Sequence, residues 1–153
     1  MNITVVDPPV SYNFAVRIVS SEFNKLEDTY FSEISGISAE LEVEEKRSGG
    51  ISDLVFHLPK STKGSRITLK RALAPMNSDI IKWCFNTINN DITKISPKGV
   101  TISLLDRNTG SPVMTWVFYN AFPVKWSMGD FDAKESKIAI ESMELVFSYM
   151  EIQ

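Results

Sequence analysis

The sequence predicts a mainly β domain of the α+β kind: a small antiparallel β-barrel or sandwich of about six or seven strands, with one packed α-helix and a long extended loop or hairpin arm. Three observations carry this. Apolar residues alternate with polar ones at period two along most of the chain, as in Phe14, Val16 and Ile18 or Met143, Leu145 and Phe147. Only the stretch after Pro75 shows helical spacing. Residues 45–63 break the alternation with Gly, Pro and Lys, over a length unusual for a plain connection in a compact domain. With 153 residues, 43% of them hydrophobic, there is material for one core, so residues 1–153 are expected to form a single domain.

The first strand follows a leader ending at Pro8 and Pro9, with Tyr12, Phe14, Val16 and Ile18 on one face; the prolines block its backward extension. Residues 20–28 read as a connection anchored by Phe23 and Leu26. A second strand begins near Tyr30 and runs past Gly36. From 37 to 44 the alternation is strict, with Ile37, Ala39, Leu41 and Val43 expected on the core face and Glu40, Glu42 and Glu44 on a wet, acidic one. Residues 45–63 form the arm, punctuated by Gly49-Gly50 and Pro59, and Ile67 and Leu69 mark the strand that follows.

The helix is expected over 78–89, capped by Asn77 or Ser78, with Asp79 in its first turn and Ile81, Cys84, Phe85 and Ile88 facing the core. Val100, Ile102 and Leu104 then pair through a turn at 106–110 with Met114, Trp116 and Phe118. Val113, Val117 and Tyr119 give this second strand an opposite face that is also apolar. In the last stretch the apolar phase passes from Ile138 and Ile140 to Met143, Leu145, Phe147 and Tyr149. That slip predicts a bulge near Glu141 and Ser142 that turns one strand from one sheet onto another.

Composition narrows function. A net charge of −3 supplies no basic field for nucleic acid or an anionic membrane. The single cysteine, Cys84, excludes an intramolecular disulfide and a cysteine-rich zinc site. No basic start followed by an apolar run opens the chain, so a soluble protein assembled in the cytoplasm is expected. His57 is the sole histidine and sits within an apolar arm with no motif around it. The row of Glu40, Glu42 and Glu44 offers metal ligands from one strand only. Gly49-Gly50 lacks the strand and helix of a phosphate cradle. The sequence therefore predicts no catalytic, cofactor or metal site. Trp83, Trp116 and Trp126 leave a carbohydrate-binding module as a remote alternative, and a small hydrolase would need His57 in a cleft.

Several segments taken together carry a resemblance: Phe14-Ala-Val-Arg-Ile, Phe31-Ser-Glu-Ile-Ser-Gly36, Glu44-Glu-Lys-Arg-Ser-Gly-Gly50, Ile67-Thr-Leu-Lys-Arg71, Trp83 in the helix, Asn120-Ala-Phe-Pro-Val-Lys-Trp126 and Ala139-Ile-Glu-Ser-Met-Glu-Leu145. In this order and spacing the chain resembles the tail tube proteins of contractile phages and of phage-derived extracellular injection systems, the antifeeding prophage and virulence cassette type. More distantly it resembles the type VI secretion tube protein. The resemblance implies a β-barrel protomer, hexameric rings and rings stacked into a hollow tube. Its implied partners are other copies of itself, other tube paralogues, sheath and baseplate proteins, and an effector or DNA passing through the lumen. Pro59-Lys60 and Arg71-Ala72 replace the Pro-Gly and the Gly that the family commonly carries, so a specialised initiator at the baseplate end is the alternative.

Two expectations about surfaces follow. Glu40, Glu42 and Glu44 are candidates for lining the lumen. The arm reaches a neighbouring subunit or the next ring through Lys46, Arg47, Gly49, Gly50, Ile51, Leu54, Phe56, Lys60 and Lys63, with apolar residues covered and basic residues meeting acidic ones.

Overall fold

The computed structural model describes residues 13–19, 30–50, 54–63, 66–72, 78–90, 92–129, 134 and 139–153. Within them lie ten strands: β1 (Asn13–Val19), β2 (Tyr30–Phe31), β3 (Glu33–Ser35), β4 (Glu40–Arg47), β5 (Val55–Lys63), β6 (Arg66–Ala72), β7 (Lys98–Leu105), β8 (Pro112–Met128), β9 (Ile140–Val146) and β10 (Tyr149–Ile152). One helix, α1 (Asp79–Asn89), and one 3-10 turn, Ile92–Lys94, complete the described elements. The leader, the connection at 20–28, Tyr12, Ile51, Asn77 and Ile138 lie outside the described residues.

Eight strands form one antiparallel sheet in the order β2-β1-β7-β8-β9-β6-β3, with β10 also on β8. The expected barrel is not closed by a continuous ladder, because the two ends of this path, β2 and β3, do not pair with each other. They are instead consecutive in the chain, separated by Ser32, whose backbone N–H and hydroxyl both donate to the Lys70 carbonyl at 2.9 and 3.1 Å. A kink at one residue thus lets a single extended segment edge both halves of the sheet.

The strand that serves both halves is β8. Its first part pairs with β7 and β10, and its second part with β9. The bend falls at Asn120, where φ is 54°. The β7 register jumps there from Lys98↔Ala121 to Val100↔Phe118, so two β8 residues face Gly99. Asn tolerates the left-handed region better than other non-glycine residues, so the bulge is locally encoded. The folded-over halves enclose Val16, Ile18, Phe31, Ile67, Leu69, Val100, Ile102, Phe118, Met143, Leu145 and Phe147.

The predicted slip near Glu141 and Ser142 is absent. Ala139, Glu141, Met143, Leu145 and Phe147 are all buried in one unbroken phase, while Ile140 is 52% exposed. A carboxylate at a core position imitates a phase change. The real break comes at Phe147 and Ser148, after which Tyr149 is exposed and Met150 packs on the core.

At the β7–β8 turn, Asp106 accepts from the Asn108 and Thr109 N–H groups at 2.7 and 3.4 Å. Gly110 supplies the positive φ of 68°.

Candidate assembly surfaces

β4 and β5 form a two-stranded ribbon hydrogen-bonded to no other described strand. The arm therefore starts at Glu40 and not at Glu45, and two residues expected in the core, Leu41 and Val43, are 54% and 50% exposed. The reason is topological: Gly36 breaks the extended segment after β3, and its φ of 85° together with the Arg66 carbonyl, which any Cβ would strike, fixes the turn. Of the face expected inside, at 37, 39, 41 and 43, Ile37 alone packs on the core.

The ribbon register runs from Glu40↔Lys63 at the root to Arg47↔Val55 near the tip, and it skips Lys60 between Glu42↔Ser61 and Val43↔Pro59. The bulge lies on β5, so the alternation of β4 is intact and Glu40, Glu42 and Glu44 share a face. Phe56 and Leu58, opposite Lys46 and Glu44, lie on that same face. Leu41, Val43, Pro59 and Val55 lie on the other, with His57 opposite Glu45. Lys46, Arg47, Lys60, Gly49 and Gly50 are all exposed, as are Leu54 at the tip and Phe56. Both faces of the ribbon thus present apolar side chains edged by charges, a surface that a lone subunit leaves in water.

The helix seats differently from its sequence reading. Ser78 is the N-cap, its hydroxyl accepting from the Ile81 N–H at 3.3 Å, and Ile80, Trp83 and Cys84 are the buried residues. Phe85 and Ile88 are 38% and 41% exposed, so of the expected core face only Cys84 is fully inside. Phe85 lays its ring 5.0 Å from that of Trp126.

Beneath α1 runs a buried polar chain that the sequence reading missed. Trp126 donates from Nε1 to Glu141 Oε1 at 2.7 Å, and Arg71 donates from Nε to Glu141 Oε2 at 3.1 Å. Arg71 also reaches the Ser78 hydroxyl at 2.9 Å and lies 4.8 Å from the centre of the Phe31 ring. Burial, and then the negative field of Glu141, push the Cys84 thiol up to about 12 from 9.0. The signal available in the sequence was Glu141 standing in phase with Met143 and Leu145.

A third surface is the outer face of β1, β7, β8 and β10. Arg17, Thr101, Val117 and Glu151 form one row across it. Ser103 and Thr115 share a hydrogen bond of 3.1 Å. Tyr119 stacks on Tyr149 with ring centres 4.4 Å apart and donates to Glu151 at 2.9 Å. That hydrogen bond, more than burial or charge, raises the Tyr119 phenol above its ordinary value. A cleft of about 370 Å³ opens between Arg17, Tyr30, Ser103 and Leu105.

A sequence model of the T4-like virus tail tube protein gp19 family matches residues 10–151. The chain belongs to that family. It is a tail tube protein, and among solved structures its likeness extends to contractile injection systems. A chain of the PVC sheath-tube complex of an extracellular contractile injection system, in the extended state, is 26% identical, with 97% of this chain and 93% of that one covered and a TM-score of 0.73. A chain of the anti-feeding prophage baseplate, 6-fold symmetrised, is 28% identical, with 95% of each chain covered and a TM-score of 0.74. An Hcp protein shares the fold at 15% identity, with 94% of this chain and 91% of that one covered and a TM-score of 0.58. No curated protein sequence matches the chain.

Proposed function

We propose that this tail tube protein is a structural subunit of the inner conduit of a contractile injection particle or phage tail, in closed six-fold rings that stack into a hollow tube. The observation that carries this is the β4–β5 ribbon. Its two apolar faces are covered when it lies between two other copies, one in the same ring and one in the next. Such head-to-tail contacts close into a ring only at a fixed rotation, and the family's solved relative in a 6-fold symmetrised baseplate supports the number six. Lys46, Arg47 and Lys60 then face acidic groups on the neighbour, while Leu54 and Phe56 seal the contact. Sheath, baseplate and other tube proteins are the expected partners, with an effector or DNA in the lumen and no catalytic role for the subunit.

Two polar surfaces compete for the lumen. The row of Glu40, Glu42 and Glu44 shares its face with Phe56 and Leu58, which a water-filled conduit would leave exposed. The face of β1, β7 and β8 sets Thr101, Ser103 and Thr115 beside Val19 and Val113, which are 61% and 58% exposed, so it is the alternative wall, with the acidic row then directed to the seam between subunits. The baseplate-end initiator is the second reading: the chain is as similar to a chain of the baseplate structure as to one of the sheath-tube complex, with TM-scores of 0.74 and 0.73. A carbohydrate platform finds no support, since Trp83 is buried and Trp116 and Trp126 pack partly against the core.

Negative-stain images of the purified protein over a range of concentrations test the proposal. Rings of six-fold projection or stacked tubes are expected, and a monodisperse monomer at every concentration contradicts it.

A further inference from the structure

The apolar residues of α1 do not define one way to seat it. At about 100° per residue, Ile80, Ile81, Trp83, Cys84, Phe85 and Ile88 span roughly 200° of the helix surface. A seat centred on Ile80, Trp83 and Cys84 and one centred on Ile81, Cys84, Phe85 and Ile88 differ by a rotation of roughly 90°. Each buries a comparable set of side chains, and Cys84 belongs to both. The structure adopts the first, leaving Phe85 and Ile88 at the surface.

What separates the two seats is the polar chain. It runs from Trp126 on β8 through Glu141 on β9 and Arg71 on β6 to the Ser78 hydroxyl, which itself receives the Ile81 N–H. It fixes the first turn of α1 to three strands, and turning the helix by a quarter would carry Ser78 away from Arg71. Glu141 is fully buried and the Arg71 side chain is 6% exposed, so the desolvation of both charges offsets much of their attraction. A buried ion pair of small net stabilisation still selects among arrangements that apolar contact alone leaves nearly equal.

We propose that Arg71 and Glu141 are positioning residues that select the rotation of α1, and thereby decide that Phe85 and Ile88 are displayed to solvent or to a partner. In the tube reading, on which only this last step rests, a mixture of rotations gives subunits with two different outer surfaces and irregular assembly.

The test uses the full chain carrying Cys84→Ser and Phe85→Cys, so that a single thiol reports on position 85 through its rate of maleimide labelling. In this background one fast phase is expected. Adding Arg71→Met and Glu141→Met, which fills the same space with apolar side chains, is expected to keep the β circular dichroism and to slow the labelling of position 85 at least about twofold, because seats that interchange faster than the reagent reacts give one averaged rate. Ser78→Ala, which cuts the last link and leaves the ion pair in place, is expected to slow labelling likewise. An unchanged rate in both overturns the proposal, whatever the stability. If the double replacement unfolds, Ser78→Ala alone decides. Electron micrographs of the parent chain judge the tube reading separately: absence of tubes there removes that reading and leaves the labelling result standing.

Discussion

Replacing Glu141 by Met deletes the acceptor at the centre of the polar chain while keeping the volume of the side chain. Arg71 is then left with its guanidinium buried at 6% exposure, and the Trp126 N–H loses its partner at 2.7 Å. Removing one member of a buried pair costs about 3–5 kcal/mol, because the survivor keeps its desolvation and loses its attraction. Against a domain stability of about 5–15 kcal/mol this is a large share. Arg66→Met provides the contrast, since it breaks the 3.4 Å contact with Glu144 from a side chain that is 67% exposed. An ion pair of that kind contributes about 0–1 kcal/mol. Urea unfolding followed by circular dichroism measures both, at one low protein concentration so that assembly does not add its own stabilisation. The expected result is a midpoint for Glu141→Met lowered several times more than for Arg66→Met at a common slope. Equal shifts would refute the reasoning, because they would mean that the buried Arg71 finds compensation elsewhere.

Three further outcomes are expected. The Cys84 thiol, raised to about 12, should resist alkylation in the folded chain at neutral pH; because its unfolded value is lower, its contribution to stability is complete below about pH 9 and declines as pH rises toward 12, which a series of urea melts at increasing pH in wild type and Cys84→Ala checks by the difference between the two. Gly36→Ala should lower the midpoint of unfolding by more than the ordinary glycine-to-alanine change, since it combines a φ of 85° with a collision at the Arg66 carbonyl. Phe85→Ala should cost the unassembled subunit about 1–2 kcal/mol, below the 3–5 kcal/mol of a fully buried phenylalanine, because the ring is 38% exposed and rests mainly on Trp126; a thermal or urea melt decides.

The strands that bury one face were legible because their period is two and their faces differ. Val16, Ile18, Ile67, Leu69, Val100 and Ile102 are inside as their alternation requires. The helix was legible in position and cap, Ser78 included, and not in rotation, since its apolar arc is too wide for periodicity to choose a seat. Leu41 and Val43 show a different limit. Alternation records that one face of a strand is apolar, and it does not record whether that face meets its own core or another molecule. The core position of Glu141 was hidden because its partners, Arg71 and Trp126, are distant in sequence and meet only after three strands have paired. The uninterrupted strand pattern from Tyr30 onward also concealed the kink at Ser32 that sends β2 and β3 to opposite ends of the sheet, although the tail tube resemblance carried the overall architecture.

In the proposed tube the ribbon is the element that joins subunits, and it can be removed cleanly. Its root residues Glu40 and Lys63 are direct cross-strand partners, so a short Gly-Ser linker in place of residues 40–63 spans the gap without strain on the remaining sheet. Negative-stain microscopy of this variant beside the wild type, with circular dichroism to show that the sheet is intact, is the most direct measurement. Long tubes from the wild type and none from the folded variant are expected. Long, regular tubes from the variant would contradict a joining role for the ribbon.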